Sequence, residues 1–202
     1  MRKIFILALL LTSGLAMAQE MNIVKGDFKF FKGQKLINVE FDYGNLKMLK
    51  DNITEEQYIA DRTTDLNNKN SGVGTAWKKK WMSSKEMIWQ PKFLELLNVV
   101  STKEDADITY EEDAKNAKYT LIVETVWIFP GWDVSVMKQK AKVSTILKFV
   151  ETANRKNVLL EISSTDAPGD QWGSNFSNES RIGEGYAKTA KSLAKMIAKK
   201  AF

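Results

Sequence analysis

The chain has 202 residues, 30 Lys and Arg against 25 Asp and Glu, a net charge of +5, 44% apolar side chains, and neither His nor Cys. That length and apolar content suit one globular domain whose core needs no disulfide or metal staple. The missing residue types exclude a Ser-His-Asp triad, a cysteine nucleophile, a cysteine-bound cluster and a zinc site of nitrogen and sulfur ligands, so no metal or cofactor is expected and a non-enzymatic role is preferred.

Met1-Arg2-Lys3 is a basic start, Ile4 to Leu11 is an unbroken apolar run, and Ala16-Met17-Ala18 offers small residues where signal peptidase reads. Residues 1–18 therefore read as a signal peptide cleaved near Ala18. A spanning helix needs about 20 apolar residues, and Thr12-Ser13-Gly14 interrupts this segment well before that. Loss of Arg2 and Lys3 takes the net charge to +3. No cysteine follows the apolar run to carry a lipid, and no later segment reaches transmembrane length. The expectation is a periplasmic or secreted protein with residues 19–202 as a single domain, a protein or glycan of the cell envelope as its partner, and no nucleic acid, because export takes the chain away from it.

In chain order, Phe28 and Phe30 before Lys32-Gly33-Gln34 suggest a short strand. From Leu36 to Tyr43, Ile37, Val39, Phe41 and Tyr43 alternate with Asn38, Glu40 and Asp42, the period of a half-buried strand. Thr54-Glu55-Glu56-Gln57 is a capping box that predicts a helix with Ile59, Arg62, Thr63 and Leu66 on one face. Asn67 to Gly74 reads as a loop and Ala76 to Trp89 as a helix, with a break near Gln90 before Pro91 opens a second short helix through Phe93, Leu94, Leu97 and Val100. Lys118 to Phe129 predicts an interior strand stopped by Pro130-Gly131. Ala141 to Phe149 alternates as a half-exposed strand, and Val158 to Ser163 returns as its hairpin partner. Asp166 to Asn178 reads as a long loop. Ile182, Tyr186, Ala190, Leu193 and Ile197 mark one face of a closing helix with acids toward its start and lysines toward its end. The expected fold is α+β: a single domain, with a largely antiparallel sheet of about five strands and helices packed mainly on one face.

Two phrases stand out as candidate sites. Phe129-Pro130-Gly131-Trp132-Asp133 and Pro168-Gly169-Asp170-Gln171-Trp172-Gly173 each place Pro-Gly, then a Trp near an Asp, at a strand end. Trp132 and Trp172 could form an aromatic ligand platform or fold over a sheet edge as turn chemistry. Asp133 and Asp170 are the carboxylates a glycan-directed hydrolase would need, the alternative to pure binding. Trp77-Lys78-Lys79-Lys80-Trp81 mixes rings with cations. Trp77 and Trp81, one turn apart, read first as inward packing beside a solvated Lys79, and second as a ligand site. Asn70 to Thr75 lacks P-loop spacing and reads as a capping loop. The acids from Glu104 to Asp113 read as a solvated connection, and Ser192-Leu193-Ala194-Lys195 as ordinary helix surface.

The phrases INVEFDYGNL at 37–46, EQYIAD at 56–61, AKYTLIV at 117–123, FVETAN at 149–154 and RIGEGYAK at 181–188, with Pro91-Lys92-Phe93, Pro130-Gly131 and Ala167-Pro168-Gly169, resemble a group of uncharacterised secreted proteins of Bacteroidetes-type bacteria. The resemblance would span nearly all of residues 19–202 and implies an exported protein. It assigns no activity, cofactor or site residue. A looser likeness in element order is to small envelope lipoproteins, from which this chain departs by lacking the lipidated cysteine.

Overall fold

The computed structural model describes residues 19–134, 137–170 and 177–202. The signal peptide assigned to residues 1–18 lies outside them. The chain forms β1 (Glu20–Gly26), a 3-10 turn (Lys29–Phe31), β2 (Leu36–Asp42), β3 (Lys47–Met48), β4 (Ile53–Thr54), α1 (Glu55–Lys69), α2 (Val73–Ser84), a π-helical turn (Lys85–Trp89), α3 (Gln90–Lys103), β5 (Thr109–Glu112), β6 (Tyr119–Phe129), β7 (Trp132–Val134), β8 (Met137–Gln139), β9 (Ala141–Glu151), β10 (Asn154–Gly169) and α4 (Asn178–Ala201).

Helices and sheet share one core, but the sheet is larger and more mixed than the sequence suggested. It has eight strands in the order β1-β10-β9-β6-β2-β5, with β3 and β4 extending it beside β6, while β7 and β8 form a separate ribbon. β1, β10, β9 and β6 are antiparallel neighbours, whereas β2 runs parallel to both β6 and β5, and β3 runs parallel to β6. The expectation of about five largely antiparallel strands is therefore corrected. The reason is the long helical crossover from α1 to α3, which returns the chain in the direction of β2, the connection a parallel pair requires. Alternation along β2 reports which face is buried; it does not report the direction of the neighbouring strand.

Local chemistry explains the other departures. Phe28 and Phe30 do not enter a strand, because the Asp27 carboxylate accepts from the Lys29 amide at 2.8 Å and draws the chain into a turn. That turn plants the Phe31 ring 4.9 Å from Phe149. β5 lies inside the acidic stretch and buries Tyr110 while Thr109, Glu111 and Glu112 face out. The expected break near Gln90 is absent. Pro91 has no N–H to give the turn before it, and the Gln90 amide instead donates to Lys85 O in a widened π turn, so the helix runs on through the proline. Thr54 caps α1 as predicted, its hydroxyl accepting from the Gln57 amide at 3.2 Å.

Ile182, Tyr186, Ala190, Leu193 and Ile197 of α4 are all fully buried with Leu121, Val123, Leu147, Phe149, Leu160 and Ile162 of the sheet. Close approach makes this contact: a Cβ on Gly169 would lie 1.8 Å from the Arg181 carbonyl oxygen, so only glycine lets β10 meet α4 there. The chain between β5 and β6 crosses β2 where the Ala114 amide donates to Asn38 Oδ1 at 2.9 Å. Among the described residues no helix is long and apolar enough to cross a membrane.

The sheet face bearing Asn38, Glu40 and Glu124 is tied by ion pairs. Arg155 grips Glu40 through two bonds of 2.6 and 2.7 Å, and Lys148 donates to Glu124 at 2.5 Å. Burial pushes the Glu124 carboxyl up, but hydrogen bonds from Lys148 and Asn45 and the lysine charge outweigh it, so its pKa is lowered. The stability this carboxylate lends is present above the ordinary glutamate value of about 4.3 and drains away as pH falls through the lower folded value. In Lys148→Met, burial should dominate, and NMR titration should then find Glu124 above the ordinary value. A Glu124 pKa unchanged in the variant would refute this assignment of the shift.

Candidate functional site

The first half of α1, the β3–β4 hairpin and the β6–β7 turn enclose a cleft of about 310 Å³. Tyr58, Asp61, Arg62 and Asp65, at helical spacing, supply one wall, and Leu49, Ile53 and Phe129 supply apolar surface. Pro130 and Gly131 turn the chain, and Trp132 borders the opening. Gly131 sits at φ +67, and a Cβ there would lie 2.3 Å from Gln139 O, so this turn requires glycine. The turn is fixed from behind: Trp127 donates its indole N–H to Leu49 O at 2.7 Å and stacks with Phe129 at 6.3 Å between centroids.

Trp132 donates its N–H to Gln139 Oε1 at 3.0 Å across the β7–β8 ribbon, which holds its ring in place while 39% of the residue stays exposed. Arg62 is the unusual group. Its Nε is shut off from solvent and has no hydrogen-bond partner among the described residues, although it carries a permanent charge. Asp61, its neighbour, accepts from Gln57 Nε2 at 2.7 Å. Burial pushes the Tyr58 hydroxyl up to about 12, against the opposing charge of Arg62. The cleft therefore offers an aromatic face, a cationic side chain and two carboxylates.

The other residues singled out by sequence are distributed as follows. Trp172 lies outside the described residues, as does the side chain of Asp133. Asp170 follows β10 and pairs with Lys138 at 3.2 Å and Lys140 at 3.5 Å on the ribbon that carries Trp132. Its burial raises its pKa, but the hydrogen bonds and charges of both lysines more than offset this, and the net shift is downward. A carboxylate held ionised by two lysines fastens the ribbon and is poorly suited to give up a proton. Trp81 is fully buried and Trp77 half-buried. Their rings lie 5.5 Å apart and pack on Tyr58 at 5.1 and 5.9 Å, so Trp81 presents no face to a ligand. Lys79 is exposed on α2, outside the cleft lining. Of the Asn70–Thr75 stretch only Asn70 to Gly72 lies between helices: α2 begins at Val73, and its Gly74 amide donates to Asn67 Oδ1 of α1 at 2.8 Å. Ser192 donates to Gln19 Oε1 at 2.6 Å, which commits its hydroxyl hydrogen away from Lys195.

Sequence reasoning missed the α1 wall. Arg62 shares one helix face with Ile59, Thr63 and Leu66, and a guanidinium in that weakly apolar stripe is the signal that could have pointed there.

No family model matches the sequence, and no curated protein matches it. Among solved structures, the PelC dodecamer from Paraburkholderia phytofirmans is similar at 12% identity and a TM-score of 0.40, over 87% of this chain and 97% of that one. A protein described as a neuraminyllactose-binding hemagglutinin homolog from Helicobacter pylori is similar at 13% identity and a TM-score of 0.32, over 88% of this chain and 92% of that one. Likenesses of this size leave function to the residues of the chain itself.

Proposed function

We propose that the protein is an exported, non-enzymatic binding protein whose cleft between α1 and the β6–β7 turn takes a saccharide of the cell envelope. The observation that carries this reading is the part-exposed Trp132 ring, fixed by its bond to Gln139 at the border of a cleft whose α1 wall carries Asp61, Arg62 and Asp65. A sugar ring offers its apolar C–H face to the indole and can donate from its hydroxyls to Asp61 and Asp65. The cleft volume falls at the small end of ligand sites, which run from about 300 to 1,000 Å³. Export rests on the leader pattern of residues 1–18.

Co-sedimentation of the chain beginning at Gln19 with insoluble envelope glycan, followed by competition with soluble fragments, tests the reading. Trp132→Ala and Arg62→Gln should each weaken retention by about tenfold, roughly 1.4 kcal/mol, while circular dichroism stays unchanged. Equal retention of both folded variants would remove the site. Intact mass of protein from its native host should show a chain starting at Gln19, and Met1 still attached would overturn export.

A further inference from the structure

A second surface, remote in sequence from the cleft lining, lies where α3 and α4 run side by side. Lys103 of α3 and Lys188, Lys191 and Lys195 of α4 converge on a groove of about 350 Å³, whose only acid is Glu104. None of these four lysines joins an ion pair among the described residues, whereas Lys92 and Glu184, one helical turn before Lys188, pair with each other. Lys199 extends the row, so Lys188 and Lys199 stand eleven helical steps, about 16 Å, apart along α4. The helix dipole does not explain the row, because its attraction for cations fades beyond the last turn and Lys188 lies three turns before the end.

Two further observations lie on the same surface. Two large apolar side chains are exposed: Val99, which lines the groove, at 55%, and Phe202, three residues beyond Lys199, at 66%. The chain also enters the domain here, since Gln19 accepts from Ser192, which follows Lys191 and lines the groove. The apolar run Ile4–Leu11 ends eight residues before that point.

We propose that this face docks on an anionic phospholipid bilayer, through lysines attracted to the headgroups and Val99 and Phe202 entering the interface. A row of cations together with exposed apolar groups is the composition that interfacial binding uses. A soluble polyanion would satisfy the lysines and leave the exposed valine and phenylalanine unused. The proposal does not depend on the saccharide cleft and fails separately from it.

The chain from Gln19 to Phe202 should sediment with vesicles of mixed phosphatidylglycerol and phosphatidylcholine and not with phosphatidylcholine alone. Each lysine is worth roughly fivefold in partitioning, so Lys188→Gln, Lys191→Gln, Lys195→Gln and Lys199→Gln combined should lower it by about a hundredfold or more. The four corresponding Arg substitutions should retain it. Wild-type binding should also weaken as salt rises from about 0.05 to 0.5 M, a result that needs no variant to fold. Equal binding to neutral vesicles, salt-independent binding, or undiminished binding by a folded Gln variant would overturn the proposal. So would an acidic polysaccharide that strips the protein from vesicles at equal charge while glycerol phosphate does not.

Discussion

Trp89→Ala should lower the unfolding free energy by about 3–5 kcal/mol, the range for truncating a buried tryptophan. Trp89 is fully buried at the π-helical turn, where its ring lies 5.3 Å from Trp81 and stacks on Tyr186 at 5.8 Å with 12° between planes. Its indole N–H donates to the Glu179 carbonyl at 2.9 Å, joining this turn to the start of α4. Truncation opens a cavity between helices and sheet and orphans a buried acceptor at once. Trp89→Phe keeps most of the volume and should cost clearly less. Urea denaturation of the two variants decides it, and equal losses would show that the hydrogen bond, and not packing, carries the effect.

Lys85→Met should cost about 2–4 kcal/mol, somewhat below the value for a fully buried pair because both partners keep some exposure. Lys85 Nζ meets Glu55 Oε2 at 2.5 Å, with side chains only 18% and 12% exposed, and also lies 4.5 Å above the Tyr43 ring. Glu55 Oε1 meanwhile accepts from the Trp81 indole at 2.9 Å. Removing the lysine leaves a shielded carboxylate with one neutral donor, while removing Glu55 strands both the ammonium and the indole N–H. The double variant Glu55→Gln with Lys85→Met should therefore lose less than the two single losses together. A double-mutant cycle measures the coupling, and strict additivity would mean that the pair contributes nothing.

Both predictions concern a polar and aromatic seam that the sequence showed only in fragments. Trp77 and Trp81 at one-turn spacing announced an inward stripe. Nothing local announced that Trp89, five residues past Ser84, would share that seam, because the π turn shifts its phase by one residue relative to an α-helix. In the same way, the five apolar positions of α4 were legible from period alone, while Gly169, which lets β10 approach Arg181, is one of several glycines until the packing is seen. Trp132 was legible as a turn residue, with its ring either open to a ligand or folded over a sheet edge. Arg62 was legible as an oddity on its helix face, and only the fold carried it to the same cleft.

By itself the sequence determined the class of elements, the inward face of β2, β9 and α4, the cap of α1, and the absence of His and Cys chemistry. Each of these depends on near neighbours or on composition. Tertiary structure decided that β2 would run parallel to β5 and β6, that short edge strands would enlarge the sheet to eight, and that α1 would face the β6–β7 turn. The pairings of β2 with β5, and of β2 and β3 with β6, join residues more than 70 positions apart, where the free energy comes from burying complementary faces together, and no local pattern encodes which face will meet which.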